Sequence, residues 1–384
     1  MVYLDYNAST PVDPRVAVEL AAWTQEVYAN PSSGHPAGRS ASALVERART
    51  QVASLAGRRD RDVIFTSGAS ESATLALVGL GLAARESGNR DFIVNATEHK
   101  AISAAAELGA SLAGGEVRVV RVGTDGVVDL EDLDRAIQET SACAVVTMLA
   151  NNETGVINPI QSVRDRVPDS ALLVVDLTQA AGKIPFEETP YDVGFFSSHK
   201  MYGPKGAGAL IADRQTRRRL TPVFPGGGQE QGLRGGTQPA PVLAAFGLAA
   251  ELAAEELATD AAHSQALVAE LLAAFRGSGL RFEIHGDRAA RIPNTVNLRF
   301  PGADGEAVMA NAPSIQISDG SACTSAQPMP SHVLLAMGLD RIQASESVRI
   351  SVGRFTTTDD VAAAADALAR GVRRVLAAQN GIPA

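Results

Sequence analysis

Between about Asp62 and Asp213 short apolar runs alternate with amphipathic stretches. The runs are Val63-Ile64-Phe65, Phe92-Ile93-Val94, Val117 to Val122, Ala144 to Leu149, Leu172 to Val175, Val193 to Phe196 and Ala209 to Ala212. They are mostly apolar without sustained polar alternation, which predicts strands covered on both faces and hence a mostly parallel sheet between helical layers. Helices are predicted over Ser70 to Ala84 and Asp129 to Gln138; in the second, Asp129 is placed to cap and acids occupy the first turn. The expected fold class is α/β, with a large domain built on a seven-stranded sheet.

After the glycine-dense stretches Gly226-Gly227-Gly228 and Gly235-Gly236, the Ala/Leu/Glu-rich segment from Pro239 to Phe275 predicts one or two helices bridging two domains. Beyond it, strands are expected at Arg281 to Ile284, Thr295 to Phe300, Ser314 to Ile317 and Val348 to Val352. Helices are expected near Gly305, Pro330 and Thr358. This remainder reads as a smaller α+β domain. The expected partition is 15–257 for the large domain, with 1–14 and 258–384 forming the small one. No repeat of fixed period interrupts the pattern.

The 384 residues suffice for two or three domains, and 45% apolar with 20% charged content is that of a chain that folds. With 34 basic against 43 acidic residues the net charge is −9, which disfavours a nucleic-acid partner. No apolar run approaches the roughly 18 residues of a membrane span. The first ten residues lack the basic and apolar stretches of an export signal, so a cytoplasmic location is expected. Cys143 and Cys323 stand 180 positions apart, which supports neither a disulfide framework nor a metal clip. Only four lysines are present, Lys100, Lys183, Lys200 and Lys205, so chemistry that needs an amine has few candidates.

In a parallel sheet, ligand-binding residues follow the carboxyl ends of the strands. Thr66-Ser67-Gly68-Ala69-Ser70-Glu71 is a small-residue turn opening a helix; it reads as a phosphate cradle or as ordinary helix capping. His99 follows the second strand, as a site residue or a loop histidine. Asp176 ends an apolar strand, where a buried acid needs a cation, either a protonated ring nitrogen or an arginine. Lys200 follows Ser197-Ser198-His199 at another strand end, and would otherwise be a solvated surface lysine. Neither a P-loop nor a G-x-G-x-x-G turn is present to suggest a nucleotide. A phosphate cradle, an acid for a pyridinium, a histidine and an amine able to form a Schiff base together describe a pyridoxal phosphate site.

The same blocks carry a resemblance. The chain resembles the cysteine desulfurases of the class V aminotransferase-like superfamily, in the group with the longer catalytic loop. The likeness begins at Tyr3-Leu4-Asp5-Tyr6-Asn7-Ala8-Ser9-Thr10-Pro11 and runs through Thr66 to Glu71, Thr97 to Lys100, Asn151 to Gly155, Asp176 to Gln179 and Ser197 to Gly206. It continues through Gly226 to Thr237, Ser318 to Ala326 and Ser351 to Thr356.

The resemblance implies a homodimeric fold-type I enzyme that uses pyridoxal 5'-phosphate to convert L-cysteine to L-alanine. Lys200 would hold the cofactor covalently and move protons, Asp176 would keep its ring nitrogen protonated, and His99 would stack on the ring. Gln179 would donate to the phenolic oxygen. Ala69, Ser70, Ser197 and His199 would hold the phosphate, and Thr237 would reach the phosphate of the neighbouring subunit. Asn151 and Arg354 would bind the substrate carboxylate. Cys323, in the small-residue run Asp319 to Pro328, would receive the sulfur as a persulfide and pass it to a protein acceptor that the resemblance leaves open. No metal is implied.

Ser198, Ser70 and Gln229 depart from the residues the family commonly has at those places, and Gln229 cannot titrate near neutrality. A lyase or transaminase acting on another amino acid, such as selenocysteine, is the alternative within the cofactor class. A catalytically silent docking partner for a sulfur carrier is the alternative outside it.

Overall fold

In the computed structural model of the protein, residues 1–319 and 330–379 are described. All seven apolar runs form strands of one sheet. Its order is Val63–Thr66, Gly208–Ala212, Val193–Ser197, Leu172–Asp176, Ala142–Met148, Asp91–Asn95 and Val117–Val120. Gly208–Ala212 runs antiparallel to both its neighbours, and every other pairing is parallel.

Alternate side chains of these strands leave for opposite faces, and both faces are buried except along the edge strand Val117–Val120. Phe65, Ile93, Val145, Leu173, Val175, Phe196 and Ile211 join one core. Ile64, Phe92, Val94, Val146, Val174, Phe195 and Leu210 join the other. Helices Pro36–Leu55 and Ala240–Glu255 cover the first face, and Ala69–Ala84 and Lys100–Ala113 the second. The latter two helices cross so closely that a Cβ on Gly81 would meet the Gly109 carbonyl at 2.2 Å.

The segment from Pro239 forms two helices, Ala240–Glu255 and Leu257–Gly277, parted at Glu256. The second packs with Thr358–Gln379 around a separate core containing Leu271, Phe275, Val296, Leu298, Val348, Ile350 and, from the other end of the chain, Leu4. Strands Glu283–Ile284, Thr295–Arg299 and Ser347–Ser351 form an antiparallel sheet there, and Val2–Tyr3 pairs in parallel with Ile315–Gln316. Among the helices of ten or more residues, three lay outside the sequence expectations: Pro14–Glu26, Pro36–Leu55 and Lys100–Ala113. Two of them open on proline behind a capping side chain, Asp13 and His35, a start signal legible in the chain. Among the described residues, no helix is long and apolar enough to cross a membrane.

Candidate active site

The parallel strands Asp91–Asn95, Ala142–Met148, Leu172–Asp176 and Val193–Ser197 all end on the same edge of the sheet. The segments that follow converge on a cavity of 440 Å³. Ala69, Ser70, His99, Asp176, Gln179, Ser197, His199 and Lys200 all line it. Residues separated by more than a hundred positions in sequence thus meet because each lies at, or shortly after, the carboxyl end of a strand.

Asp176 lies on its last strand position and is buried. Its Oδ1 accepts from the Thr178 N–H at 2.8 Å. Burial raises its pKa above the ordinary carboxylate value, against the hydrogen bonds from Thr178 and the through-space pull of Lys200 and Lys183. A cation brought against this acid would remove the cost of its burial.

Lys200 is half-buried and its Nζ donates to the carbonyls of Asn7, at 2.6 Å, and Ala8, at 2.9 Å. The amino-terminal segment therefore forms one wall of the cavity. Gln179 donates from Nε2 to the same Asn7 carbonyl at 3.0 Å.

At the other end, the Ser197 hydroxyl accepts from the Ala69 N–H at 2.7 Å, which leaves its own proton to donate. Gly68, with φ +156°, precedes helix Ala69–Ala84, and a Cβ on the facing Gly208 would meet Gly68 Cα at 2.6 Å. Small residues are required for this turn to close against the sheet. His199 Nδ1 lies 3.2 Å from Ser9 Oγ, and burial followed by Lys200 and Lys205 pushes its ring down to about 4. It is neutral at pH 7.

His99 caps helix Lys100–Ala113, its Nδ1 accepting from the Ala101 N–H at 3.2 Å. An accepting Nδ1 assigns the remaining proton to Nε2, so the ring offers the cavity a donor. Burial, then Lys200 and His332, lower its pKa and keep it neutral. Its neighbour Glu98 is fully buried, and its carboxyl oxygens have no hydrogen bond of acceptable geometry, although the Met148 and His99 backbone lies close. Burial and Asp176 raise Glu98 well above the carboxylate range, so it holds its proton.

Two expectations, Arg354 and Asn151, meet a different outcome, and two more, Thr237 and Cys323, have no counterpart to meet here. Arg354 does not line the cavity. Its guanidinium is held by Asp260 at 2.7 Å, Asp13 at 2.7 Å and Glu256 at 2.9 Å, and stacks 4.4 Å over the Tyr202 ring. With three carboxylates already on it, this side chain braces the fold, and its assignment to the substrate is corrected. Asn151 is also turned away. Its Nδ2 donates to the Thr97 carbonyl and its Oδ1 accepts from the N–H groups of Glu153 and Thr154, so its amide closes its own turn. Thr237 is exposed and outside the lining of this chain's cavity. Cys323 lies outside the described residues.

The cavity contains residues the sequence reading did not single out: Asn7, Asn152, Glu153, His332 and Arg349 among them. Arg349 is the cation that Arg354 is not. It is buried, donates to the Asn152 carbonyl at 3.0 Å and to Asp5 at 2.6 Å, and its Nε has no partner. Its signal was the period of its strand: Val348 and Ile350 face the core, which sends Ser347, Arg349 and Ser351 to the opposite side. Glu153, nearly fully buried, accepts from the Ser331 hydroxyl; burial pushes it up to about 7, against the pull of Arg349 and Lys100.

This is the architecture of an α/β enzyme with an amine, an acid and a small-residue turn at a helix N-terminus gathered at the strand ends. The aminotransferase class-V family model matches residues 2–363. A cysteine desulfurase from Frankia sp. (strain EuIK1) is 47% identical over 397 residues, covering 100% of this chain and 94% of its own. Among solved structures, a NifS-like protein superposes with a TM-score of 0.87 at 34% identity, covering 99% of this chain and 100% of the other. SspA in complex with cysteine superposes with a TM-score of 0.80 at 30% identity, covering 93% and 100%. The chain belongs to the class-V aminotransferase family, in its cysteine desulfurase branch.

Proposed function

We propose that this protein is a pyridoxal phosphate-dependent cysteine desulfurase that takes sulfur from L-cysteine, releases L-alanine and carries the sulfur as a persulfide on Cys323. The observation that carries the reading is the meeting of Lys200, Asp176 and the Ala69–Ser197 turn in one cavity. The residues fit the cofactor: a buried acid in need of a cation, an amine within the same wall, and a hydroxyl-rich turn at a helix N-terminus spaced across the cavity.

The chemistry that pyridoxal phosphate supplies when bound is an electron sink for the bonds of an amino-acid substrate. Lys200 would hold it covalently and then move protons at the substrate. Asp176 would pair with its ring nitrogen and Gln179 would donate to its ring oxygen. Ser70, Ser197, His199 and the helix N-terminus would bind the phosphate, with Thr237 of a second subunit completing it in a homodimer. His99, with its donor at Nε2, would stack on the cofactor ring.

Arg349, whose guanidinium lines the cavity and is held by Asp5 and Asn152, would take the substrate carboxylate in place of Arg354. In the sulfur step the Cys323 thiolate attacks the substrate sulfur. The new S–S bond forms as the Cβ–S bond breaks, its electron pair remains with the alanine carbons, and a proton at Cβ completes alanine. A protein acceptor in the cytoplasm then receives the sulfur.

The test supplies purified protein with pyridoxal phosphate and L-cysteine and measures alanine and protein persulfide. Both are expected in the parent and neither in Lys200→Ala. Cys323→Ser is expected to lose the persulfide. Persulfide formed at the parental rate by Cys323→Ser would overturn the role of that cysteine.

A further inference from the structure

Behind the cavity lies a second amine. Lys183 is buried at the end of the Gln179 turn, and its Nζ donates to Gln179 Oε1 at 2.5 Å. Gln179 in turn donates from Nε2 to the Asn7 carbonyl, the same oxygen that accepts from Lys200 at 2.6 Å. A carbonyl can only accept, so the nitrogen edge of the Gln179 amide must face Asn7 and its oxygen edge must face Lys183. Two neighbours impose the same orientation.

Asn7 cannot drift. Its N–H donates to Ser351 Oγ, its Nδ2 to Asn152 and Thr295, and its Oδ1 accepts from Asn294. The row Lys183, Gln179, Asn7 carbonyl, Lys200 is therefore anchored in the middle as well as at the buried end.

Placing an amine there is costly. Burial, with Lys200 and Arg349 as like charges, drives its pKa well below the ordinary lysine value, and Asp176 only partly opposes them. Asp260 lines the same small cleft, and His199 also feels the Lys183 charge. A chain with only four lysines that buries one against two other cations is not using it for packing alone.

Resting on the cofactor reading above, we propose that Lys183 is a positioning residue. It holds the Gln179 carboxamide by its oxygen, so that the N–H edge is presented beside Lys200 as the donor to the cofactor's ring oxygen. Without Lys183 only the Asn7 carbonyl holds the orientation of the amide, and its oxygen edge loses its donor.

The experiment measures the dissociation constant of pyridoxal phosphate and the pH midpoint of the bound cofactor's visible band in the parent, Lys183→Met, Gln179→Ala and the double variant. Lys183→Met is expected to weaken cofactor binding about tenfold and to shift the midpoint. Gln179→Ala is expected to do likewise, and the double variant to be no weaker than Gln179→Ala alone. Lys183→Gln, which keeps an N–H donor without the charge, is expected to recover most of the affinity, and it stands in should Lys183→Met fail to fold. Parental affinity and midpoint in Lys183→Met, or fully additive losses in the double variant, would overturn the proposal while leaving the cofactor reading intact. A parent protein that takes up no pyridoxal phosphate would overturn the cofactor reading, and this proposal with it.

Discussion

Arg349 and Arg354 stand five positions apart in different surroundings, one lining the cavity and one outside it, which makes their replacement a sharp test. Arg349 lines the cavity of 440 Å³, with two of its nitrogens committed, to Asn152 and Asp5, and a buried Nε without a partner. A substrate carboxylate received there gains at least one charge-assisted hydrogen bond of about 1.5–3 kcal/mol. Arg349→Gln should therefore lower kcat/KM for L-cysteine by about 10- to 150-fold, mainly through KM. Arg354 touches no part of the cavity, but Asp13 and Asp260 are buried around it. Arg354→Gln leaves Asp260 without its cation, while Asp13 keeps Arg15 at 2.7 Å, and should cost about 3 kcal/mol of stability, as removal of one partner of a buried pair does. KM of the protein that remains folded should be unchanged. Steady-state kinetics with L-cysteine, beside urea denaturation of each variant, separates the two. A KM defect in Arg354→Gln with parental KM in Arg349→Gln would refute the assignment.

Asp5 holds Arg349 at 2.6 Å, so Asp5→Asn should raise KM several-fold while kcat stays near the parental value, as steady-state kinetics will show. Glu153, with its pKa pushed up to about 7 from 4.5, binds its proton more tightly in the folded than in the unfolded chain. Its contribution to stability is therefore complete below pH 4.5 and is lost as pH rises toward 7, by about 3 kcal/mol in all. Glu153→Gln should flatten that part of the stability profile, measured by denaturation between pH 5 and 8. A parental slope in the variant would contradict the burial argument. Asp176→Asn removes the acid that would keep the cofactor's ring nitrogen protonated and should depress alanine formation by about a hundredfold or more, with cofactor still bound by absorbance.

Most of the large sheet was legible because its strands, the edge strand Val117–Val120 excepted, are apolar on both faces, a pattern that a strand buried between two layers requires. The strand ends then pointed to Asp176, Lys200, His99 and Ser197 by position alone. The misses share a cause. Asn7 acts through a backbone carbonyl, whose direction no residue type announces. Arg349 lies inside a strand that reads as apolar until its two faces are separated, and in a run with two arginines only the phase of that strand tells which one meets the cavity. Arg354 was drawn to the substrate by resemblance, yet the acids that hold it come from residues 13, 256 and 260, far away in sequence.

The central claim is that one amine carries the cofactor, and four lysines make it directly testable. Borohydride reduction of the pyridoxal phosphate-loaded protein, followed by proteolysis and mass spectrometry, should place the reduced cofactor on the peptide containing Lys200. Label on Lys100, Lys183 or Lys205, or a protein left unlabelled, would contradict the account.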